Sequence, residues 1–205
     1  MPGTRIIRWW PALAVLVVIA LVLAVIATPG PLPGELGYVQ WLQDLGGPAP
    51  TLADVVWVVT GTEAALVVAA GPAAWLIWRR ERRAATAVAI AALTMLVVQP
   101  AVKEIVDRPR PSPQVVTPRA ETESMSFPSG HAMSTTTVWG AAAGVAWAHR
   151  RRAVAAATSL PIGLTFLASG VQGVHWPTDA VAGTLLGAVA AWLIVPRVVL
   201  TRHRS

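Results

Sequence analysis

His175 and Asp179 stand four residues apart in His175-Trp176-Pro177-Thr178-Asp179, which puts an imidazole and a carboxylate on one side of a starting helix. A carboxylate that accepts a hydrogen bond from one ring nitrogen leaves the other as a lone-pair nucleophile. His131 lies in Phe127-Pro128-Ser129-Gly130-His131. Ser129 there suits a helix N-cap, and Gly130 permits close approach to a helix start whose free N–H groups attract anions. Upstream, the segment Lys103 to Pro111 carries Lys103, Arg108 and Arg110 among stiffening prolines. Lysine offers a point charge and arginine a planar fork matched to phosphate oxygens. Together these types point to a histidine attacking a phosphate group. Each element also has a plainer reading: a solvated basic loop, a capped helix with an interfacial His131, and Asp179 capping a helix that begins near Pro177. Two histidines and an aspartate are metal ligands elsewhere, but the spacing forms no familiar zinc signature.

The elements that must hold these groups are apolar. Of 205 residues, 55% are hydrophobic and only 13% charged, which sets the chain apart from soluble domains. Six segments are apolar enough to cross a bilayer, which takes about 20 residues each: 9–28, 52–78, 84–106, 129–148, 153–172 and 178–199. The expected fold is all-α, a single polytopic membrane domain over residues 1–205. Gly130, Ser134, Gly140 and Gly144 suit the fourth span to close helix packing. The formal charge of +6 does not indicate nucleic acid, because the arginines flank apolar runs rather than forming a basic face. With no cysteine, disulfides and thiolate chemistry are excluded.

Basic residues orient the spans. Twelve of the 16 fall on one side: Arg5, Arg8, Arg79, Arg80, Arg82, Arg83, Arg150, Arg151, Arg152, Arg197, Arg202 and Arg204. That side is expected to be cytoplasmic, with both termini there and the motif residues facing outward. The other basic residues, Lys103, Arg108, Arg110 and Arg119, all belong to one outward loop. Trp9, Trp10, Trp75, Trp78 and Trp147 fit the inner interface, and Trp41 and Trp176 the outer one. Leu36, Val39, Leu42 and Leu45 suggest a short amphipathic helix on the outer surface, an interfacial anchor or else a lid or lipid-entry ramp. Val25-Ile26-Ala27 resembles a signal cleavage site, but the first apolar run is long for that and is read as a retained anchor. Glu63, about 16 Å into a straight second span, is an ionisable group at costly depth. It would line a polar path or contact a site cation, or else be protonated and hydrogen-bonded to a neighbouring helix.

In order and spacing these motifs resemble the type 2 phosphatidic acid phosphatase superfamily, membrane lipid phosphatases that share an active-site plan with vanadium haloperoxidases. The family pattern K-x-x-x-x-x-x-R-P is met by Lys103, Arg110 and Pro111, P-S-G-H by Pro128 to His131, and H-x-x-x-D by His175 and Asp179. The serine-arginine pair of the third motif would fall at positions 168 and 169, which are Ala168 and Ser169. The arginine that binds phosphate in the family is therefore replaced. Losing such a donor costs about a hundred- to a thousandfold in rate. Arg108 or Arg119 could supply the charge from the loop, and Gln172 a neutral hydrogen bond.

The resemblance implies in-line attack by His175 to give a phosphohistidine, with Asp179 orienting the imidazole and His131 as acid and then base. Lys103, Arg110, Ser129 and the Gly130 N–H would hold the phosphoryl oxygens, with no metal or other cofactor. An amphiphilic substrate fits a site at the outer leaflet: phosphatidic acid, phosphatidylglycerophosphate, or a polyprenyl mono- or diphosphate. The competing classes are a lipid-phosphate-binding protein that has lost turnover and, behind it, a transporter.

Overall fold

The computed structural model describes residues 3–28, 30–78, 80 and 82–201. The side chains of Arg5, Arg8, Trp75, Arg83 and Arg197, and residues Arg79, Arg202 and Arg204 altogether, lie outside what it describes. Among the described residues every regular element is helical: α1 (Gly3–Ala27), α2 (Glu35–Gln43), α3 (Ala49–Thr60), α4 (Thr62–Trp78), α5 (Arg82–Leu93), α6 (Gln99–Val106), α7 (Gly130–Ala148), α8 (Arg152–Val171) and α9 (Pro177–Thr201). Four stretches among the described residues are long and apolar enough to cross a membrane: Trp9–Ala27, Ala85–Val106, Arg152–Val171 and Pro177–Pro196. The bent pair α3–α4 makes a fifth if it counts as one span. Exposed Trp9, Leu13, Leu16 and Leu23 on α1 and Val55, Val58 and Val59 on α3 present the apolar surface that an integral membrane protein turns to lipid.

Two expected spans are not straight rods. The segment 52–78 divides into α3 and α4, whose axes differ by 52° across Gly61. Thr60 explains part of the break. Its hydroxyl donates to the Val56 carbonyl at 2.6 Å, while its own carbonyl accepts from Thr135 Oγ1 of α7 at 3.1 Å. Glu63 therefore does not lie within one continuous helix; it stands in the first turn of α4 with its side chain on the protein surface, where an acid suits the helix dipole. The third span contains a π-helical turn, Thr94–Val98, between α5 and α6. Pro100 lacks an N–H and would crowd the carbonyl four residues back, inside that turn, which accounts for the wider winding.

The fourth span is α7, which is not among the stretches apolar enough to cross alone. Ser134, Thr135, Thr136 and Thr137 are buried along it, so it sits inside protein rather than in lipid. It packs against α9 and α8. Small residues set the closeness: a Cβ at Gly183 would lie 2.4 Å from the Ser129 carbonyl, and one at Gly187 2.5 Å from that of Met133. On α7, a Cβ at Gly144 would lie 2.7 Å from Val195 Cγ2. This α7–α9 seam brings the starts of the two helices to one end of the bundle. The Arg150–Arg152 turn, with Arg152 5.5 Å over the Trp147 ring, lies at the far end of α7, about 28 Å away.

The expected amphipathic segment is α2, with Val39 and Leu42 buried. Leu45 lies past its end and is exposed, so the apolar stripe is shorter than the spacing suggested. Trp41 is exposed as an interfacial residue would be, but Trp176 is not: it is buried, and its Nε1 donates to the Pro109 carbonyl at 3.0 Å. Its ring packs with Val39 and Val116 instead of reaching the interface.

Candidate active site

Four helix ends and one loop build the site. Asp179 stands in the first turn of α9 and is fully buried. Its Oδ2 accepts from the Trp176 N–H at 2.8 Å and from the Ser126 hydroxyl. Oδ1 accepts from Arg108 Nη1 at 2.6 Å. His175 Nδ1 lies 3.6 Å from Oδ2 and 3.5 Å from Ser126 Oγ. The carboxylate is thus fixed by three donors, with the imidazole facing its remaining side.

The other ring nitrogen of His175 meets a cation. Arg110 Nη1 lies 3.3 Å from Nε2 and donates to the Val174 carbonyl at 2.6 Å, while Nε donates to the Ser124 carbonyl at 2.7 Å. An arginine has only donors to offer, so Nε2 carries the lone pair and Nδ1 the proton. Burial above all, then the nearby cations Arg110 and Lys103, bring the imidazole down to about 4 against the pull of Asp179. At neutral pH it is uncharged. Burial also lowers Arg110, to about 10, and it stays a cation. Lys103 at the end of α6 donates to Ser124 Oγ at 3.1 Å and to the Met125 carbonyl, joining Arg110 on the same short segment.

Ser129 caps α7 as its position suggested, its Oγ accepting from the Ala132 N–H at 3.4 Å. Its own N–H donates to the Asp179 carbonyl at 3.0 Å, tying the starts of α7 and α9 together. His131, one residue after Gly130, stacks on Trp57 with centroids 3.6 Å apart and planes 16° from parallel, and its ring hydrogen-bonds to the Trp57 carbonyl. Trp57 also lies 6.1 Å from the His175 ring, so one indole touches both imidazoles' surroundings. A Cβ at Gly61 would come within 3.5 Å of His131 Nε2, so the break between α3 and α4 falls beside this histidine.

The residues considered as substitutes for the missing arginine fall elsewhere. Arg108 does not face an open phosphate place; it is buried between Glu35, at 2.5 Å, and Asp179. Arg119 pairs with Asp54 at 2.7 Å, and Gln172 donates to the same carboxylate at 2.8 Å. Ser169 is buried and turns its hydroxyl back to the Phe166 carbonyl at 2.7 Å. Glu63 is exposed on α4. A cleft of about 640 Å³ opens beside Arg119, walled by Gln40, Gln43, Asp44 and Gln114 among others, and neither histidine lines it.

Sequence reasoning missed Ser126, Trp57, Asp54 and Glu35. Ser126 was within reach, since it directly precedes the Phe127–His131 run. The others act across the fold and carry no local signal. Among the described residues no three His, Asp or Glu side chains gather as they would around a metal ion.

The profile of the PAP2 superfamily matches residues 83–202, which contain all three motifs. No curated protein sequence matches the chain. Among solved structures, the crystal structure of the first transmembrane PAP2 type phosphatidylglycerolphosphate phosphatase from Bacillus subtilis superimposes with a TM-score of 0.75. That alignment covers 96% of this chain and 98% of that one at 18% identity, which makes it a likeness of fold. With the family profile covering more than half of its length, the chain belongs to the PAP2 superfamily of membrane phosphatases.

Proposed function

We propose that this protein hydrolyses a lipid phosphate or diphosphate through a phosphohistidine intermediate, in one domain of six spans with its termini in the cytoplasm and its site outside. The observation that carries the reading is the environment of His175: an unprotonated Nε2 beside Arg110 at 3.3 Å, with Nδ1 turned to Asp179. The Nε2 lone pair forms a bond to phosphorus while the bond to the leaving oxygen breaks. His131, protonated at that moment, gives its proton to the leaving oxygen. It then takes a proton from water as the water oxygen attacks phosphorus; the N–P bond breaks and its electron pair returns to Nε2. Asp179 stabilises the positive imidazole between the two steps. Lys103, Arg110 and the Gly130 N–H hold the phosphoryl oxygens, and Arg110 leaves Nε2 for them as the phosphate arrives.

An amphiphilic substrate suits a site at helix ends beside lipid-facing apolar surface. Phosphatidylglycerophosphate is the first candidate, because a protein of that activity shares the fold. Phosphatidic acid and polyprenyl phosphates follow on the same chemistry. A second reading, a lipid-phosphate binder with weak or no turnover, draws on Ser169, whose short hydroxyl is bonded within its own helix.

The test is phosphate release from a panel of lipid mono- and diphosphates in detergent micelles. Release by wild type is expected to persist in chelator and to be inhibited by vanadate. His175→Ala and His131→Ala are each expected to lose at least about ten-thousandfold in kcat. Undiminished release in both variants would end the mechanism, and lipid-phosphate binding by wild type without release would favour the second reading.

A further inference from the structure

Glu35 is a buried carboxylate at the first residue of α2, and none of the phosphate chemistry above requires it. Taking a carboxylate out of water is costly unless it is paired and hydrogen-bonded. Here both oxygens are occupied. Oε2 accepts from Arg108 Nη2 at 2.5 Å and from the Leu32 N–H at 2.6 Å. Oε1 accepts from the Thr178 hydroxyl at 2.6 Å and the Thr178 N–H at 3.2 Å. Arg108 extends its other terminal nitrogen to Thr178 Oγ1 at 2.7 Å and to Asp179 Oδ1 at 2.6 Å. A continuous path of charge therefore runs from Glu35 through Arg108 and Asp179 to His175.

The charges along that path do not balance while His175 is neutral: two carboxylates share one guanidinium. Balance comes when the imidazole turns positive, as it does once phosphorus is bonded to it. Without the Glu35 charge the resting cluster would already be neutral, and the positive imidazole would be left in excess. The Arg108 guanidinium would then draw on Asp179 alone and weaken the electrostatic pull of its carboxylate, 3.6 Å from Nδ1, on the Nδ1 proton.

We infer that Glu35 is a positioning residue for the phosphatase reaction, acting through Arg108 and Asp179 to hold His175 in its Nδ1–H form and to favour positive charge on it. This makes the surface helix α2 part of the working site. Its other end is fastened as well: Gln40 donates to the Val115 carbonyl at 2.9 Å, and Gln43 donates to that of Thr117 at 2.7 Å and accepts from the Thr117 N–H at 3.0 Å. A helix held at both ends keeps Glu35 in register rather than swinging as a lid. The remaining titratable groups facing His175 are Arg110 from the loop, Lys103 from α6 and His131 from α7, and none of them bonds to Glu35.

The inference rests on the phosphatase reading of the same site, so its test needs a readout that does not depend on turnover. Glu35→Gln keeps the size and one acceptor; Glu35→Asp keeps the charge. With phosphatidylglycerophosphate as substrate, Glu35→Gln is expected to lower kcat about 10- to 100-fold, the range for groups that orient a ligand from behind, with KM within about twofold. Glu35→Asp should recover part of that loss. In protein labelled with ¹⁵N-histidine there are four histidines to assign, and His175 is identified by its absence in His175→Ala. Its wild-type signal is expected to be that of the Nδ1–H tautomer at neutral pH, with a fraction passing to Nε2–H in Glu35→Gln, a fraction kept small by the Arg110 contact at Nε2. A folded Glu35→Gln with unchanged kcat and unchanged tautomer, differing only in melting temperature, would overturn the inference. A wild type that releases no phosphate but whose tautomer shifts in Glu35→Gln would end the phosphatase reading and leave the charge path standing.

Discussion

Two arginine–carboxylate clusters occupy the same end of the bundle and differ in their exposure to solvent. In the first, Arg108 lies between Glu35 and Asp179 with side-chain exposures of 2%, 5% and 0%. In the second, Arg119 and Asp54 are 35% and 47% exposed, with Gln172 as the third member. The buried cluster includes the carboxylate that faces His175; the exposed one stands where the third-motif region meets the loop, through the Arg119 N–H bond to the Gln172 carbonyl at 2.9 Å. Burial makes an ion pair rigid and expensive to break, whereas exposure leaves it adjustable. The contrast assigns the first cluster to holding geometry and leaves the second free to vary, which fits a position where Ser169 has replaced the family's arginine.

The largest effect should come from breaking the buried cluster. Arg108→Met leaves two buried carboxylates facing each other without a cation, and is expected to cost about 3–5 kcal/mol of stability. Thermal unfolding in detergent would read it as a large fall in melting temperature. Arg119→Met, measured alongside, should leave the melting temperature close to that of wild type. Equal melting temperatures for the two variants would mean that burial does not separate the clusters.

Next in size is Ser169→Arg, which restores the family's donor beside the second cluster. A gain of about a hundredfold in kcat/KM is expected if the site still presents the phosphate to that position. A loss would mean that Asp54 and Gln172 have rebuilt the pocket around a smaller residue.

A smaller effect follows from the His175 imidazole, held down to about 4 by burial and nearby cations. The protonated ring has no lone pair, so kcat/KM should hold as pH falls below 6.5 and drop only near pH 4. Stability carries the same sign: the unfolded chain takes up this proton near 6.5 and the folded one near 4. The contribution of the neutral ring is therefore present above 6.5 and is lost as pH falls through that window. Arg110→Ala removes one of the cations that lowers His175, and should move the acid limb upward as well as slowing the reaction. A limb fixed at the wild-type position would deny that Arg110 acts on the imidazole.

Much of this comparison was legible in the chain, and unevenly. The starts of α7 and α9 were readable because local signals mark them, the Ser129 cap and Pro177 before Asp179, and three of the four cationic or nucleophilic groups gathered there are motif residues. Arg108 was visible as a charge but not as a buried one, because its partner Glu35 lies 73 residues before it and no periodicity links them. The break at Gly61 was hidden for the same reason. A lone glycine in an apolar run is common, and the bond from Thr135 that occupies the Thr60 carbonyl comes from another helix. Trp176 was misread because an aromatic at a helix start suits an interface as well as a core, and only the Pro109 carbonyl decides between them.

The smallest expected effect is also the sharpest test of the contrast. Arg119 holds Asp54 at 2.7 Å and 3.3 Å, and that bond raises its guanidinium above the usual value. An exposed, solvent-screened pair of this kind contributes little, so Arg119→Ala should change kcat/KM by less than about fivefold. Asp54→Asn separates two origins for any larger change. If Arg119 leaves Asp54 to meet the substrate's phosphate, Asp54→Asn frees it and should raise activity while Arg119→Ala lowers it by a hundredfold or more. If the pair only fastens the loop to α3, both variants should lower activity slightly and in parallel. Opposite signs in the two variants would move Arg119 into the phosphate site and make the exposed cluster the functional replacement for the arginine absent at 169; parallel small losses would keep the chemistry with His175, His131 and the buried cluster behind them.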